Sequence, residues 1–540
     1  MRKLPGLILA FPLSLCAITT IPSCGGGGGG VDTDSITTTN TNNNTTTTDP
    51  TTTTGTPDPT TTVTTTSGEC DGPDPDPAIC GQSTTSTEST TSTESTTATE
   101  STTTTESTTT TESTTTDAAT TTDSTTTTDP VLPEWWRHIG GTERDVVHDI
   151  AVAADGDVIV AGAFRGTVDF GDGPVSASLL EDAFVARYAP DGALRWLRHL
   201  GSAVSASDNA QATGVAVHSD GGVLVTGTFE GTVDPGTGAL VSAGKNDIFV
   251  ARYSAEGEPL WGRRIGGDGF ERTNKLAVDA GGNALLAGTQ AGLFFVAKLG
   301  AAAGEDLWFH ELGQVNNGLA DWPPVSDVTT DPAGDLYIVG SFYGKITLGG
   351  GVLQSAGGTD VFLARYRGSD GAHLWSSRYG GPAKPIAGGD DGFGLAVDGD
   401  SVVICGSGWG PVDLGGGVLA APIGTLKAFV ARYAVADGAH VWSRRVESPW
   451  ARRVALFEDA VWVHGLSTAD QPVKTQFGRY GLGDGADLGL VDVPGPGEFA
   501  IGGDGRVAQA IGFYGSITPG DQTFQSEGSG DFVVGPFVAP

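Results

Sequence analysis

The side chains best able to act as nucleophile, base or metal ligand in this 540-residue chain are its five cysteines and eight histidines, and their spacing decides how many are free to do so. Cys405 stands in the apolar run Val402-Val403-Ile404-Cys405-Gly406 with no nearby histidine, so it reads as a buried strand residue and not a nucleophile. Cys70 and Cys80 are ten apart around Asp71-Gly72-Pro73-Asp74-Pro75-Asp76-Pro77. In an oxidising compartment that pair closes a small disulfide loop or stays as two thiols, and zinc would require two further ligands. His138 and His199 occupy one slot of a repeated phrase, with His310 close to it, while His373 and His440 share another. Recurrence marks a structural role, leaving His148, His218 and His464. Arg187, Arg252, Lys298, Arg365, Arg432 and Arg479 also share a slot, either pairing with acids in their own repeat or forming a basic ring toward an anion. Asp-Gly pairs such as Asp155-Gly156, Asp191-Gly192, Asp370-Gly371 and Asp437-Gly438 suit tight turns and do not continue into a calcium loop. No nucleophile elbow, HExxH or phosphate loop occurs, so no catalytic residue, metal ligand or cofactor is assigned.

These residues are carried by a repeat. One unit reads Asp149-Ile150-Ala151-Val152, a turn, Val158-Ile159-Val160-Ala161-Gly162, then Phe164 to Asp169, then Phe184-Val185-Ala186-Arg187-Tyr188, a turn, and Leu194-Arg195-Trp196. Four short strands per unit are the content of one propeller blade. The glycine ending the second strand returns at Gly227, Gly288, Gly340, Gly406, Gly465 and Gly512. The predicted fold is therefore all-β, a seven-bladed propeller of four-stranded blades. Its last unit lacks a tryptophan strand, and Trp135-Trp136-Arg137-His138-Ile139-Gly140 ahead of the first complete unit matches the orphan phrase. An N-terminal strand that closes the last blade leaves no open sheet edge at the seam.

The Gly-Gly, Ile-Ala-Val, Asp-Gly and Val-Ile-Val-Ala-Gly phrases of residues 134–540 resemble the bacterial seven-bladed propeller repeats of large secreted and envelope proteins. That resemblance implies a scaffold and no particular activity. Departures from the repeat are then the places to look for binding. The longest are inserted loops at 202–212, at 315–324 with Trp322, at 382–392 with Asp390 and Asp391, and at Trp450-Ala451-Arg452-Arg453.

The N-terminus supplies the expected address. Arg2 and Lys3 precede an apolar stretch over 4–21 that is too short and too interrupted by Pro5 and Pro12 to span a membrane, as in an export signal. Ile21-Pro22-Ser23-Cys24 resembles the bacterial lipobox, which implies a signal peptide over 1–23 and a lipid on Cys24. Gly25 in place of Asp implies sorting to the outer membrane or cell surface; simple secretion is the alternative. Residues 24–133 are Thr, Ser, Asp, Glu, Asn and Pro with almost nothing to bury, an expected disordered tether in which Glu88, Glu94, Glu100, Glu106 and Glu112 recur every six residues. Net charge of −35 argues against a nucleic-acid partner. The expected function is a cell-envelope lipoprotein presenting a propeller, over 134–540, as a non-enzymatic binding or scaffolding module for an extracellular protein or glycan. The alternative is an extracellular propeller enzyme acting on glycans or using a quinone-type cofactor.

Overall fold

In most repeats the second and third strands are largely apolar and buried. Val158–Phe164 and Asp182–Tyr188 are buried at every position, as strands covered on both faces must be. The first and fourth strands are only partly buried, as in the pattern of Leu194–Leu200. A computed structural model describes residues 135–178, 180–201, 208–314, 325–382, 388–466 and 475–537. The expected signal peptide and tether, with Cys24, Cys70 and Cys80, lie outside the described residues, as does Trp322.

The chain forms seven four-stranded antiparallel sheets, each with its first strand at one edge and its fourth at the other. We number these blades 1 to 7 in chain order, from the sheet that begins with Val146–Val152. Seven hydrophobic clusters each join two neighbouring blades, including blades 7 and 1, so the core is a ring of interfaces. The seam is as the phase of the repeat predicts: Arg137–Ile139 is the outer strand of the last blade, with Arg137 opposite Val534 and Ile139 opposite Phe532. Between the second and third strands of blades 1, 2, 4, 5 and 7 the chain adds a two-stranded hairpin, such as Thr167–Asp169 with Pro174–Ser176, beyond the four strands of each blade.

The recurring glycine has a physical cause. Six of the seven first strands bulge opposite it, for example between Val147 and Asp149. The bulge brings the first strand over the glycine, so that a Cβ at Gly162 would lie 2.0 Å from the Val146 carbonyl oxygen and one at Gly227 1.9 Å from that of Gln211. Blade 7 pairs without such a shift, and a Cβ on its Gly512 would meet nothing.

Candidate functional site

One slot of the repeated polar residues fastens blade to blade, and the others tie strands within a blade. Arg187 donates to Asp157 of its own blade at 2.6 Å and to the Gly221 carbonyl of the next at 2.8 Å; Arg252, Lys298, Arg365 and Arg432 reach forward in the same way. The shared slot is thus an acid-paired staple and not a basic ring around the axis. Arg479 departs from it, standing over the Trp462 ring instead. His138 and His199 meet Asp531 and Asp182 at 2.7 and 2.5 Å, in the position where Arg264 and Arg378 meet Asp247 and Asp360. His373 and His440 lie against Gly350 and Gly416 at the hairpin tips. Cys405 is free and buried, and burial pushes its thiol well above the ordinary range, which leaves it a poor nucleophile.

Antiparallel strands alternate direction, so the second-to-third connections and the connections between blades fall at the same end of the ring. Two bridges show them touching there, Glu181 with Asn209 and Asn246 with Phe270. Of the departures singled out in the sequence, 202–207, 315–324 and 383–387 lie outside the described residues, and the described ones fall at this end. Asp390, Asp391, Trp450, Arg452 and Arg453, however, are not in inserted loops. They open the innermost strands Asp390–Asp398 and Trp450–Phe457, because the first strand of each blade starts as soon as the connection reaches the axis. Asp390 is buried and accepts from the Gly381 amide at 2.8 Å, and Asp391 accepts from the Thr359 hydroxyl at 3.0 Å. Trp450 and Arg452 stand together, with the guanidinium 5.7 Å from the ring, and Phe393 of the neighbouring innermost strand lies 6.2 Å from the same ring.

Beside them Arg453 belongs to an ion network along the axis. It donates through Nε to Glu498 at 2.5 Å and through Nη2 to Asp149, 304 residues away in the chain. Lys275 donates to the same Asp149 at 2.7 Å and to the His148 carbonyl at 2.9 Å. Blades 1, 3, 6 and 7 are therefore cross-linked across the centre. Although burial disfavours their charge, Lys275 and Arg453 hold the Asp149 carboxyl below the usual range, and Arg453 chiefly does so for Glu498. Neither carboxyl is arranged to hold a proton at neutral pH, as a general acid must. Asp149 and Asp327 also accept backbone amides of the next blade, from Val215 and Leu395, at 2.9 Å each. Burial lowers His148 and His464 to about 4, keeping both rings neutral. Sequence reasoning missed Lys275 and Glu498; the signal available was that each stands on a first strand where an apolar or small residue would suit the repeat.

Strand order, closure and blade count together define a seven-bladed β-propeller. No protein-family model matches the chain. One 144-residue segment is 31% identical to the regulatory protein FlaEY of Caulobacter vibrioides, covering 25% of this chain and 14% of that protein. Another match, 25% identical over 158 residues, is to an uncharacterized WD repeat-containing protein of Acanthamoeba polyphaga mimivirus and covers 26% of this chain and 11% of that one. The chain thus spans a small fraction of the length of these relatives. Among solved structures it is similar to a chain of a mitotic checkpoint complex (11% identity, TM-score 0.40, 76% of this chain and 98% of that one). It is also similar to BamB from Moraxella catarrhalis (12%, 0.32, 68% and 93%) and to a quinohemoprotein alcohol dehydrogenase from Comamonas testosteroni (12%, 0.36, 75% and 76%).

Proposed function

We propose that this chain is a lipid-anchored protein of the bacterial cell envelope that displays its propeller as a non-enzymatic binding or scaffolding module for an extracellular protein or glycan. The observation that carries this reading is the division of labour among polar residues. Those that recur tie strands or blades together, the axial cations are engaged by axial carboxylates, and the described departures from the repeat, Asp390, Asp391, Trp450 and Arg452, open first strands at one end of a rigid ring, where residues can vary without disturbing the interfaces. The Thr-rich segment serves as a spacer; roughly 110 residues could reach on the order of 350 Å if extended. Cys24 carries the lipid.

Two experiments on the full chain test the two halves of the reading. Cells fed radiolabelled palmitate should label the wild-type protein and not Cys24→Ala, with the label following the detergent phase; an unlabelled wild type means secretion and overturns the anchor. A glycan array and a pull-down with the purified protein should yield a saturable ligand. Silence in both overturns the binding module, and breakdown of an arrayed glycan overturns its non-enzymatic character.

A further inference from the structure

We propose that Phe393, Trp450 and Arg452, at the axial mouth between blades 5 and 6, form the binding site for an acidic saccharide, a sugar ring bearing a carboxylate. This rests on the binding-module reading and names its ligand class. Three observations converge. First, the first-strand bulge keeps its place in six blades while the residue it carries changes from blade to blade. Thr213 and Asn274, at the bulges of blades 2 and 3, bond the next blade through the Thr273 and Val325 carbonyls at 3.1 and 2.7 Å. Phe393 and Arg452, at the bulges of blades 5 and 6, instead meet at Trp450. A bulge re-aims a side chain, and here two adjacent bulges aim at one indole.

Second, the chemistry is mixed in the way a sugar acid requires. An indole and a phenyl ring offer apolar faces to the C–H face of a pyranose, and a guanidinium offers paired N–H donors to a carboxylate. Third, the local charge is free for a ligand. Arg452 is exposed and has no ion-pair partner among the described residues. Directly below, Arg453 and Lys275 are engaged by Asp149 and Glu498 and act also on Asp327, so the guanidinium of Arg452 stands outside that network at a mouth with a fixed floor. In a protein of net charge −35 that local reversal selects a small anionic group held by contact, since the long-range field repels polyanions.

The test is calorimetric titration of the full chain with a glucose oligosaccharide ending in a single glucuronic acid and with an all-glucose oligosaccharide of equal length. The acidic ligand should bind at least 10-fold tighter than the neutral one; Arg452→Gln should lose most of that preference, roughly 10-fold or more, and Arg452→Lys should keep part of it. Trp450→Ala should weaken both ligands together, with thermal melts showing that the ring is folded. No binding of the acidic oligosaccharide, or binding untouched by Arg452→Gln, overturns the site. A glycan or protein ligand from the array and pull-down whose affinity ignores these variants overturns the site while leaving the binding module standing.

Discussion

The indole nitrogen of Trp135 donates to the carbonyl of Pro190 at 2.8 Å, joining the outer strand of blade 7 to the turn between the last two strands of blade 1. The same bond recurs from Trp196 to Ala255 at 2.9 Å, from Trp261 to Ala301, from Trp308 to Gly368, from Trp375 to Val435 and from Trp442 to Leu482. The seam is thereby made of the same parts as every other junction that has this tie. Arg137 repeats the pattern two residues on, reaching the Gly192 carbonyl at 2.8 Å as Arg198 reaches that of Gly257.

Loss of the seam strand should therefore open the ring. Deleting residues 134–141 removes Trp135, the pairing with the third strand of blade 7 and a large apolar burial, and a drop in melting temperature of many degrees is expected. Trp135→Ala alone should cost about 3 to 5 kcal/mol in urea unfolding, as for other large aromatic truncations. Gly192→Ala should also destabilise, because φ there is +85° and the new Cβ would lie 2.7 Å from the Trp135 ring. An unchanged melting temperature in the deletion overturns the closure model.

This junction was legible in the sequence because the phrase with Trp135, Arg137 and Ile139 is a repeat displaced to the other end of the chain. Repetition made the blades, the turns and the staple arginines readable in the same way. The axial network was not, since a chain read in order does not say that Asp149 meets Lys275 and Arg453; that depends on ring closure bringing distant first strands to one axis. Asp390 and Trp450 were found as departures from the repeat but placed in loops, because strand starts at the axis carry no turn residue to mark them.

Arg453 should be a keystone for stability. Replacing it by Met leaves buried Asp149 and partly exposed Glu498 short of their shared cation, and breaking a largely buried pair in this way costs up to about 3 to 5 kcal/mol. Adding Glu498→Gln to Arg453→Met should recover part of the loss. Both carboxyls sit below their usual range when folded, so their contribution is present above the unfolded pKa of about 4 and disappears as pH falls through the lower folded values. Urea unfolding at pH 7 and pH 3 checks this: the variant and wild type should differ less at the lower pH, and an equal difference at both counts against the network.

His464 should make the ring acid-sensitive at a milder pH. It packs on Phe477 and Phe499, with its ring centroid 5.2 and 5.6 Å from theirs, and its charge is opposed by burial and by Arg452 and Arg453 while Glu498 favours it. A histidine at about 4 when folded and about 6.5 when unfolded contributes stability above pH 6.5 that is lost as pH falls toward 4, on the order of 3 kcal/mol at the limit. Asp145, raised to about 6 by burial, works in the opposite sense over the same interval. His464→Phe, which keeps the aromatic packing, should reduce the loss of stability between pH 7 and pH 4.5 relative to wild type. An identical loss in the two proteins would show that His464 does not titrate with unfolding.

Blade 6 should be the first to open. Opposite Arg479, where the other blades with this tie place tryptophan, it has Gly489, with φ +110° and no atoms near a would-be Cβ, so the junction with blade 7 lacks the indole bond. Its outer strand Asp487–Val493 is correspondingly bare, with Leu488 and Leu490 about half exposed, whereas His440–Val446 in blade 5 keeps Trp442 buried against the Leu482 turn. A missing hydrogen bond and its apolar contact together lower local stability by about 1.5 kcal/mol or more, which is roughly ten-fold in exchange rate. Amides of Asp487–Val493 should therefore exchange at least that much faster than those of His440–Val446 under native conditions. Equal protection in the two strands would mean that cohesion of this junction comes from elsewhere, namely Trp462, Phe477 and Phe499 in the apolar cluster beneath.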